Sequence, residues 1–107
     1  MQLDDTLIAL ADETRRGILK QLASGEARVT EVAEPFDISL NSVSKHIRML
    51  ERAGLVRRAV NGRDHLLSLN AEPLSGAAQW IEHYRRFWEG RLAALDDYVT
   101  SKKRKRK

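Results

Sequence analysis

The sequence contains no cysteine, and this absence excludes several classes of protein. Disulfide scaffolds, thiolate nucleophiles and sulfur-ligated zinc or iron–sulfur sites all require cysteine. No apolar run approaches the roughly 20 residues of a membrane span, and the N-terminus, with Asp4 and Asp5, lacks the basic and apolar regions of a signal peptide. We therefore expect a cytoplasmic protein that does not enter a membrane.

Motifs of catalysis are also missing. The sequence has no Gly-rich phosphate loop and no nucleophile elbow, and His46, His65 and His83 are too far apart to form a metal motif. Asp96 and Asp97 are interpreted as part of a charged helix face and not as a catalytic dyad. The sequence therefore predicts that the protein is not an enzyme and holds no metal or cofactor.

Positive charge is concentrated in two places. Residues 102–107 are all Lys or Arg, so residues 1–101 hold the other 13 of the 19 basic side chains against 15 acidic ones, a net charge of −2. Between residues 41 and 63 the only acidic residue is Glu51. The cations of that stretch are Lys45, Arg48, Arg52, Arg57, Arg58 and Arg63. Such a basic patch can attract the phosphates of a nucleic acid.

The chain length bounds the domain organisation. A chain of 107 residues with 42% hydrophobic residues fits one compact domain, which we assign to residues 1–101. The basic segment 102–107 has no apolar residue to bury, and we expect it to be disordered. A domain of this size buries a small share of its surface, so a partner subunit is expected to cover more of it.

Two helices are predicted near the start of the chain. Residues 4–11 have apolar side chains at helical spacing. Asp12 can cap a second helix that runs to about Ser24, where Gly25 supplies the stop. In this second helix an apolar stripe is expected to face the core and three cations are expected to point outward. The stripe contains Ile18, Leu19 and Leu22, and the cations are Arg15, Arg16 and Lys20.

A helix-turn-helix motif is predicted in the middle of the chain. Thr30 is interpreted as the N-cap of a short helix that Pro35 distorts or ends. Ser39 then caps a longer helix, which ends at Gly54 and turns one apolar stripe toward the core. The stripe repeats at i, i+4 and i+7 and contains Val43, Ile47 and Leu50. Two helices joined by a tight connection are typical of this motif.

A β-hairpin is predicted directly after the motif. Residues 55–60 and 65–69 form two short runs separated by Asn61-Gly62-Arg63-Asp64, and Asn-Gly is the dipeptide most typical of a hairpin turn. A basic hairpin in this position is a wing. The predicted fold class is therefore mainly α with a β-hairpin wing, a winged helix-turn-helix.

The last part of the chain predicts one long helix. Apolar residues recur every three or four positions from about Glu72 to Thr100, and Pro73 fits the first turn. They cover more than the single stripe that one domain buries, which indicates a subunit contact. Packing against the first helix of the same chain, and a small-molecule pocket among the aromatic residues, are alternatives. The interface residues predicted here are Trp80, Ile81, Tyr84, Trp88, Leu92 and Leu95.

The outward face of the longer motif helix is the candidate DNA-recognition surface. A major groove about 12 Å wide accepts one helix, in which Asn reads adenine, Lys reads guanine and Ser bonds a base edge or a phosphate. The alternatives are a solvated polar helix face and, on the wing, charges that guard an edge strand. The predicted DNA contacts are Leu40, Asn41, Ser44, Lys45 and Arg48 on the helix and Arg57, Arg58 and Arg63 on the wing.

Three motifs resemble the ArsR family of bacterial winged-helix repressors. They are residues 9–16, ALADETRR, residues 39–47, SLNSVSKHI, and residues 50–56, LERAGLV. They occur in the family's order, and the likeness spans roughly residues 3–100. The resemblance implies a homodimer joined through the first helix, with Leu7, and the last helix. It also implies base contacts by Asn41, Ser44 and Lys45.

The resemblance is to the branch of the family that does not sense metals. Many members bind metals through a Cys-x-Cys-type site, but the matching stretch here reads Arg28-Val29-Thr30. Others use paired Asp/His and His/Glu ligands on the last helix, where His83 has no histidine after it. The resemblance therefore implies no metal site and leaves any small-molecule inducer unknown. Leu40 also departs from the family, since other members often have a polar residue there.

The function that follows is a sequence-specific regulator of transcription. We expect a repressor that binds an inverted-repeat operator in double-stranded DNA as a homodimer. A winged-helix module whose basic face meets an acidic protein is the alternative from another class. A metal-responsive regulator that uses only histidine and carboxylate ligands is a third hypothesis.

Overall fold

The structure is a computed structural model that describes residues 2–105, with side chains described up to residue 100. The chain forms two compact units, one up to Ala77 and one from Ala78 onward. The predicted fold class is confirmed, because the chain is mainly helical with one small antiparallel sheet. The elements are α1 (Gln2–Leu10), α2 (Glu13–Ala23), β1 (Ala27–Arg28), α3 (Val29–Ala33), α4 (Leu40–Arg52), β2 (Val56–Asn61), β3 (Asp64–Leu69) and α5 (Glu72–Lys105).

The core of the first unit lies between α2, α4 and the sheet. The predicted stripe of α4 is confirmed, since Val43, Ile47 and Leu50 are all fully buried. Each α4 residue rotates about 100° around the helix axis, so this spacing gathers the three side chains on one face. They pack with the apolar stripe of α2 and with residues of the sheet. The other members of this core cluster include Ile18, Leu19, Leu22, Val32, Leu55 and Leu67.

Two of the three predicted helix caps are confirmed. The Asp12 carboxylate accepts a hydrogen bond from the Arg15 backbone N–H at 2.9 Å, and the Ser39 hydroxyl accepts one from the Ser42 backbone N–H at 3.1 Å. The third prediction is wrong, because α3 begins at Val29 and Thr30 lies inside it. There the Glu31 carboxylate reaches back and accepts a hydrogen bond from the backbone N–H of Arg28, the residue before the helix, at 3.0 Å.

Arg15 also departs from the sequence-based expectation. It was expected on the outer face of α2 with Arg16 and Lys20, which are exposed, but Arg15 itself is only 9% exposed. Its guanidinium Nε donates to the carbonyl oxygen of Ala9 at 2.9 Å. The last carbonyls of a helix have no partner within the helix, and they give a buried cation a favourable place.

The predicted hairpin is confirmed, and each strand extends one residue into the predicted four-residue connection. Strands β2 and β3 pair from Val56 with Leu69 to Asn61 with Asp64, so the turn is centred on Gly62 and Arg63. Within this turn, Gly62 has a positive φ of 65° and Arg63 does not. A turn centred on Asn61-Gly62 would need a positive φ at both residues.

A third strand was not predicted. β1 pairs with β3 through two residues, Ala27 with Leu67 and Arg28 with Leu66, and the order in the sheet is β1-β3-β2. A strand of two residues has no alternating pattern that a sequence could reveal. It matters for the site, because it holds the start of α3 beside the wing.

Helix α5 begins as predicted at Glu72 with Pro73 in its first turn, and Leu74 packs against the core of the first unit. The predicted end at Thr100 differs from the structure, since α5 runs on to Lys105. The helix thus includes part of segment 102–107, which was expected to be disordered, while residues 106 and 107 lie outside the described residues. Within residues 2–105, no helix is long and apolar enough to cross a membrane.

Candidate nucleic-acid interface

Helix α4 presents a polar face opposite its buried stripe. Asn41, Lys45 and Arg48 are exposed, and their spacing of i, i+4 and i+7 places them in one row along the helix. Ser44 is half-buried beside this row, and Leu40 in the first turn is 51% exposed. The five α4 residues predicted to contact DNA are therefore all exposed or half-buried. We call this set, Leu40, Asn41, Ser44, Lys45 and Arg48, the α4 face.

The chemistry of the α4 face suits the edges of bases. An asparagine side chain offers a donor and an acceptor together, which matches the N6 and N7 positions of adenine, and a lysine ammonium donates to the O6 and N7 acceptors of guanine. The 13 residues of α4 span about 20 Å along the axis. The row from Asn41 to Arg48 covers about 10 Å of this length, which corresponds to about three base steps.

On the wing, the two adjacent arginines point to opposite faces of the sheet. Arg57 is exposed and lies opposite Ser68 in the neighbouring strand. Arg58 is half-buried and lies opposite Leu67, which is fully buried. Because side chains alternate along a strand, only one of the two can face solvent here.

Arg58 is bound within the protein. Its guanidinium Nη2 donates to Oε1 of Glu51 at 2.7 Å, and Nε donates to Oε2 at 3.3 Å. Its Nη1 lies 2.9 Å from Nδ1 of His65. Arg58 therefore joins α4 to both strands of the wing, an arrangement that differs from the DNA contact expected from the sequence.

The tip of the wing lies beside the start of α3. Arg63 occupies the hairpin turn and is exposed. A depression of about 290 Å³ separates the tip from α3 and is lined by Arg28, Thr30, Arg58, Arg63 and His65, among others. Arg28 Nη2 lies 3.7 Å from the Asp64 carboxylate and links the two walls. Arg28 and Thr30 were not among the residues predicted to contact DNA, since only the short β1–β3 pairing brings them to the wing.

The predicted dimer residues on α5 lie in the second unit and are exposed. All six form a broad apolar face: Trp80, Ile81, Tyr84, Trp88, Leu92 and Leu95. Phe87 and Tyr98 are also exposed and were not included in the prediction. The rings of Trp80 and Tyr84 stack with their centroids 4.8 Å apart, so part of the face is ordered by aromatic contacts. Leu7, the predicted contact on α1, is half-buried.

No group of three or more His, Cys, Asp or Glu side chains is placed to hold a metal ion within the part of the chain that the structure describes. His65 is engaged with Arg58, as above. Nδ1 of His46 lies 3.7 Å from the Asp12 carboxylate and 3.2 Å from the Arg15 guanidinium. Both histidines therefore contact an arginine.

Comparisons with known proteins agree with this architecture. A model of a helix-turn-helix domain matches residues 10–59. The transcriptional repressor SdpR of Bacillus subtilis is 30% identical over 82 residues, which cover 77% of this chain and 91% of SdpR. The crystal structure of an ArsR family transcriptional regulator, RHA00566, is 39% identical with a TM-score of 0.78, over 83% of this chain and 98% of that one.

A further solved structure is similar over most of the chain. It is the homodimeric winged helix-turn-helix DNA-binding domain of Mb0332 from Mycobacterium bovis, described as a possible ArsR-family regulator. It is 25% identical, with a TM-score of 0.62 over 85% of this chain and 82% of that one. Together with the helix-turn-helix match and the wing, these relatives identify the family. The chain belongs to the ArsR family of winged helix-turn-helix transcriptional regulators.

Proposed function

We propose that this DNA-binding regulator is a repressor that recognises an inverted-repeat operator as a homodimer. The observation that carries the proposal is the α4 face, a row of exposed polar and basic side chains fixed by the fully buried stripe behind it. A rigid helix is a precise platform for reading bases. The name of SdpR, a transcriptional repressor, supports repression over activation.

The contacts divide by chemistry into those that read bases and those that hold phosphates. Asn41, Ser44 and Lys45 read base edges, and the exposed side chain of Leu40 contacts a thymine methyl group. Arg48 continues the row toward the backbone. Arg57 and Arg63 on the wing neutralise phosphates or enter the minor groove.

The homodimer is proposed from the exposed face of α5. A soluble monomer rarely exposes a contiguous apolar patch of this kind without a partner. The homodimeric state of the Mb0332 domain supports a second copy of this chain as that partner. A two-fold dimer requires half-sites about one helical turn apart, roughly 34–36 Å, or a multiple of that distance. A cytoplasmic location, as expected from the sequence, gives such a dimer access to its operator.

Selection of random DNA duplexes with the full chain, followed by sequencing, tests the proposal. At physiological salt we expect one inverted-repeat consensus, bound at least 1,000-fold more tightly than scrambled duplexes of the same composition. Retention of all duplexes with equal, weak affinity would contradict sequence recognition. That result would favour the alternative, a module whose basic face binds an acidic protein.

A further inference from the structure

Arg15 carries a buried charge between the end of α1 and the middle of α4. Within the described residues no carboxylate lies within salt-bridge distance of its guanidinium. Four hydrogen bonds surround the charge instead, two to each helix. A buried cation is tolerated only when its donors are satisfied, so these contacts hold both helices close to Arg15.

The contacts to α1 involve the last turn of that helix. Arg15 Nε donates to the Ala9 carbonyl at 2.9 Å and Nη2 donates to the Ile8 carbonyl at 3.1 Å. The next carbonyl, of Leu10, accepts a bond of 2.8 Å from the exposed Arg16. The C-terminal end of a helix carries partial negative charge, which favours both cations. The two arginines thus cap the same helix end, but within the described residues only Arg15 also bonds to α4.

The contacts to α4 involve two residues one turn apart. Arg15 Nη1 lies 3.2 Å from Nδ1 of His46 and donates to the sulfur of Met49 at 3.4 Å. A guanidinium has donors only, so Nδ1 of His46 must be the acceptor and the ring proton must lie on Nε2. The Asp12 carboxylate lies 3.7 Å from the same nitrogen and faces the ring from the start of α2. His46 is therefore fixed from α2 while its neighbour in the chain, Lys45, points outward.

We propose that Arg15 is a positioning residue that sets the rotation of α4 relative to the end of α1, so that Asn41 and Lys45 meet the bases in register. The inference rests on the proposed function, because it assigns Arg15 a role in operator recognition. Val43, Ile47 and Leu50 fix which face of α4 is buried, but apolar contacts are not directional. The Arg15 bonds to His46 and Met49 are directional, and they relate the helix to a second, polar reference point.

The test compares four variants of the full chain, Arg15→Gln, Arg16→Gln, His46→Asn and His46→Leu, together with the Arg15→Gln/His46→Leu double variant. Arg16→Gln is the matched control, since it removes a cap of the same helix end that does not extend to α4. His46→Asn keeps an acceptor near the position of Nδ1, whereas His46→Leu removes it. Affinity is measured for the duplex selected by the wild type and for a scrambled duplex, below the unfolding temperature of each variant.

We expect Arg15→Gln and His46→Leu each to lower affinity for the selected duplex at least tenfold, with affinity for the scrambled duplex changed less than twofold. The double variant should lose no more affinity for the selected duplex than the weaker-binding single variant, because both substitutions break the same contact. His46→Asn and Arg16→Gln should stay within threefold of the wild type. A purely stabilising role predicts equal loss on both duplexes. If His46→Leu and His46→Asn prefer the selected duplex over the scrambled one to the same extent, the proposal is overturned. This comparison holds even if Arg15→Gln does not fold.

Amide hydrogen exchange without DNA separates this inference from the proposed function. In the folded variants, loss of the Arg15 or His46 group should raise exchange at the end of α1 and at residues 46–50 of α4 together, at least tenfold in each. Arg16→Gln should raise exchange at the end of α1 alone. If the wild type selects no duplex, the proposed function fails. If amide exchange in α4 is unchanged in His46→Leu, the contact of Arg15 with His46 does not hold α4 in place, and this inference fails.

Discussion

The guanidinium of Arg58 and the carboxylate of Glu51 meet in a two-bond pair, 2.7 Å from Nη2 to Oε1 and 3.3 Å from Nε to Oε2. The pair joins the last turn of α4 to the first half of the wing. Both side chains are less than one third exposed, so solvent screens the pair less than it screens a surface ion pair. Arg58 therefore fixes the angle between the two elements that the proposed function places on DNA.

Replacing Arg58 by alanine should therefore lower the stability of the fold more than replacing its neighbour Arg57. Arg58→Ala leaves Glu51 without its partner, and we expect the free energy of unfolding to fall by roughly 1–3 kcal/mol. Arg57→Ala should change it by less than about 0.5 kcal/mol, because that side chain is exposed. Urea unfolding followed by circular dichroism measures both values.

The salt dependence of DNA affinity should show the opposite order, with Arg57→Ala changing it and Arg58→Ala leaving it unchanged. Arg57→Ala should reduce the slope of log affinity against log salt concentration by about 0.9 for each chain of the dimer, as expected for one lost phosphate contact. The Arg58→Ala slope should stay that of the wild type. A reduced slope for Arg58→Ala with unchanged stability would show that Arg58 contacts phosphate, as predicted from the sequence.

Lys45 and Asn41 should determine specificity more than affinity. We expect Lys45→Ala and Asn41→Ala each to weaken binding to the selected duplex by about 1–3 kcal/mol, or roughly 5-fold to 150-fold, since each removes a base contact. Binding to scrambled DNA should change much less. Arg63→Ala is the matched comparison, because loss of a phosphate contact should weaken both duplexes equally. Equal losses on both duplexes for Lys45→Ala would assign that residue to the DNA backbone.

The caps and the buried stripe were predictable from the sequence because they depend on residues close in the chain. Asp12 and Ser39 lie three residues before the N–H groups they accept from, and Val43, Ile47 and Leu50 follow helical periodicity. Arg15 also follows this periodicity, at i with Ile18, Leu19 and Leu22 at i+3, i+4 and i+7. Its charge led to the prediction of an outward position. The carbonyl groups that make its burial favourable belong to α1, and local sequence patterns do not reveal that contact.

A substitution at Trp88 tests the proposed dimer interface on α5. Trp88→Glu places a carboxylate in the apolar face of α5, and we expect dimerisation to weaken by about 3 kcal/mol or more, roughly a 100-fold rise in the dissociation constant. Ala93→Glu is the matched control, since at 100° per residue position 93 lies about 140° around the helix from Trp88. Sedimentation should report a monomer for the first variant and a dimer for the second. A stable dimer in both would move the interface away from this face.

Asp12 should make stability depend on pH in the acid range. The hydrogen bond from the Arg15 backbone N–H, helped by the positive charge of the Arg15 side chain, lowers the pKa of Asp12 below its ordinary value. A carboxyl group with a lower pKa in the folded state stabilises the fold above its unfolded pKa of about 4, and this contribution is lost as the pH falls through the folded pKa. Asp12→Asn retains an N-cap acceptor but cannot ionise.

We therefore expect Asp12→Asn to be less stable than the wild type at pH 7 by up to about 1 kcal/mol, a limit set by the partial exposure of the carboxylate. The two proteins should converge in stability well below pH 4. Thermal unfolding at a series of pH values measures the difference. A constant difference from pH 7 to pH 2 would show that ionisation of Asp12 does not contribute.

The basic segment 102–107 should supply part of the attraction to DNA. Its six cations contrast with the net charge of −2 on residues 1–101, and α5 carries the chain into this segment as far as Lys105. Each phosphate that these cations neutralise contributes about −0.9 to the salt slope, so a chain that ends at Ser101 should show a slope several units flatter for each dimer.

A second variant, in which all six cations are replaced by glutamine, keeps the length and separates charge from helix extension. It should flatten the slope as much as the truncation does. The preference for the selected duplex over scrambled DNA should persist in both variants, because phosphate contacts carry no direct sequence information. If the slope of both variants equals that of the wild type, the segment does not contact DNA, and α4 and the wing account for the electrostatic attraction alone.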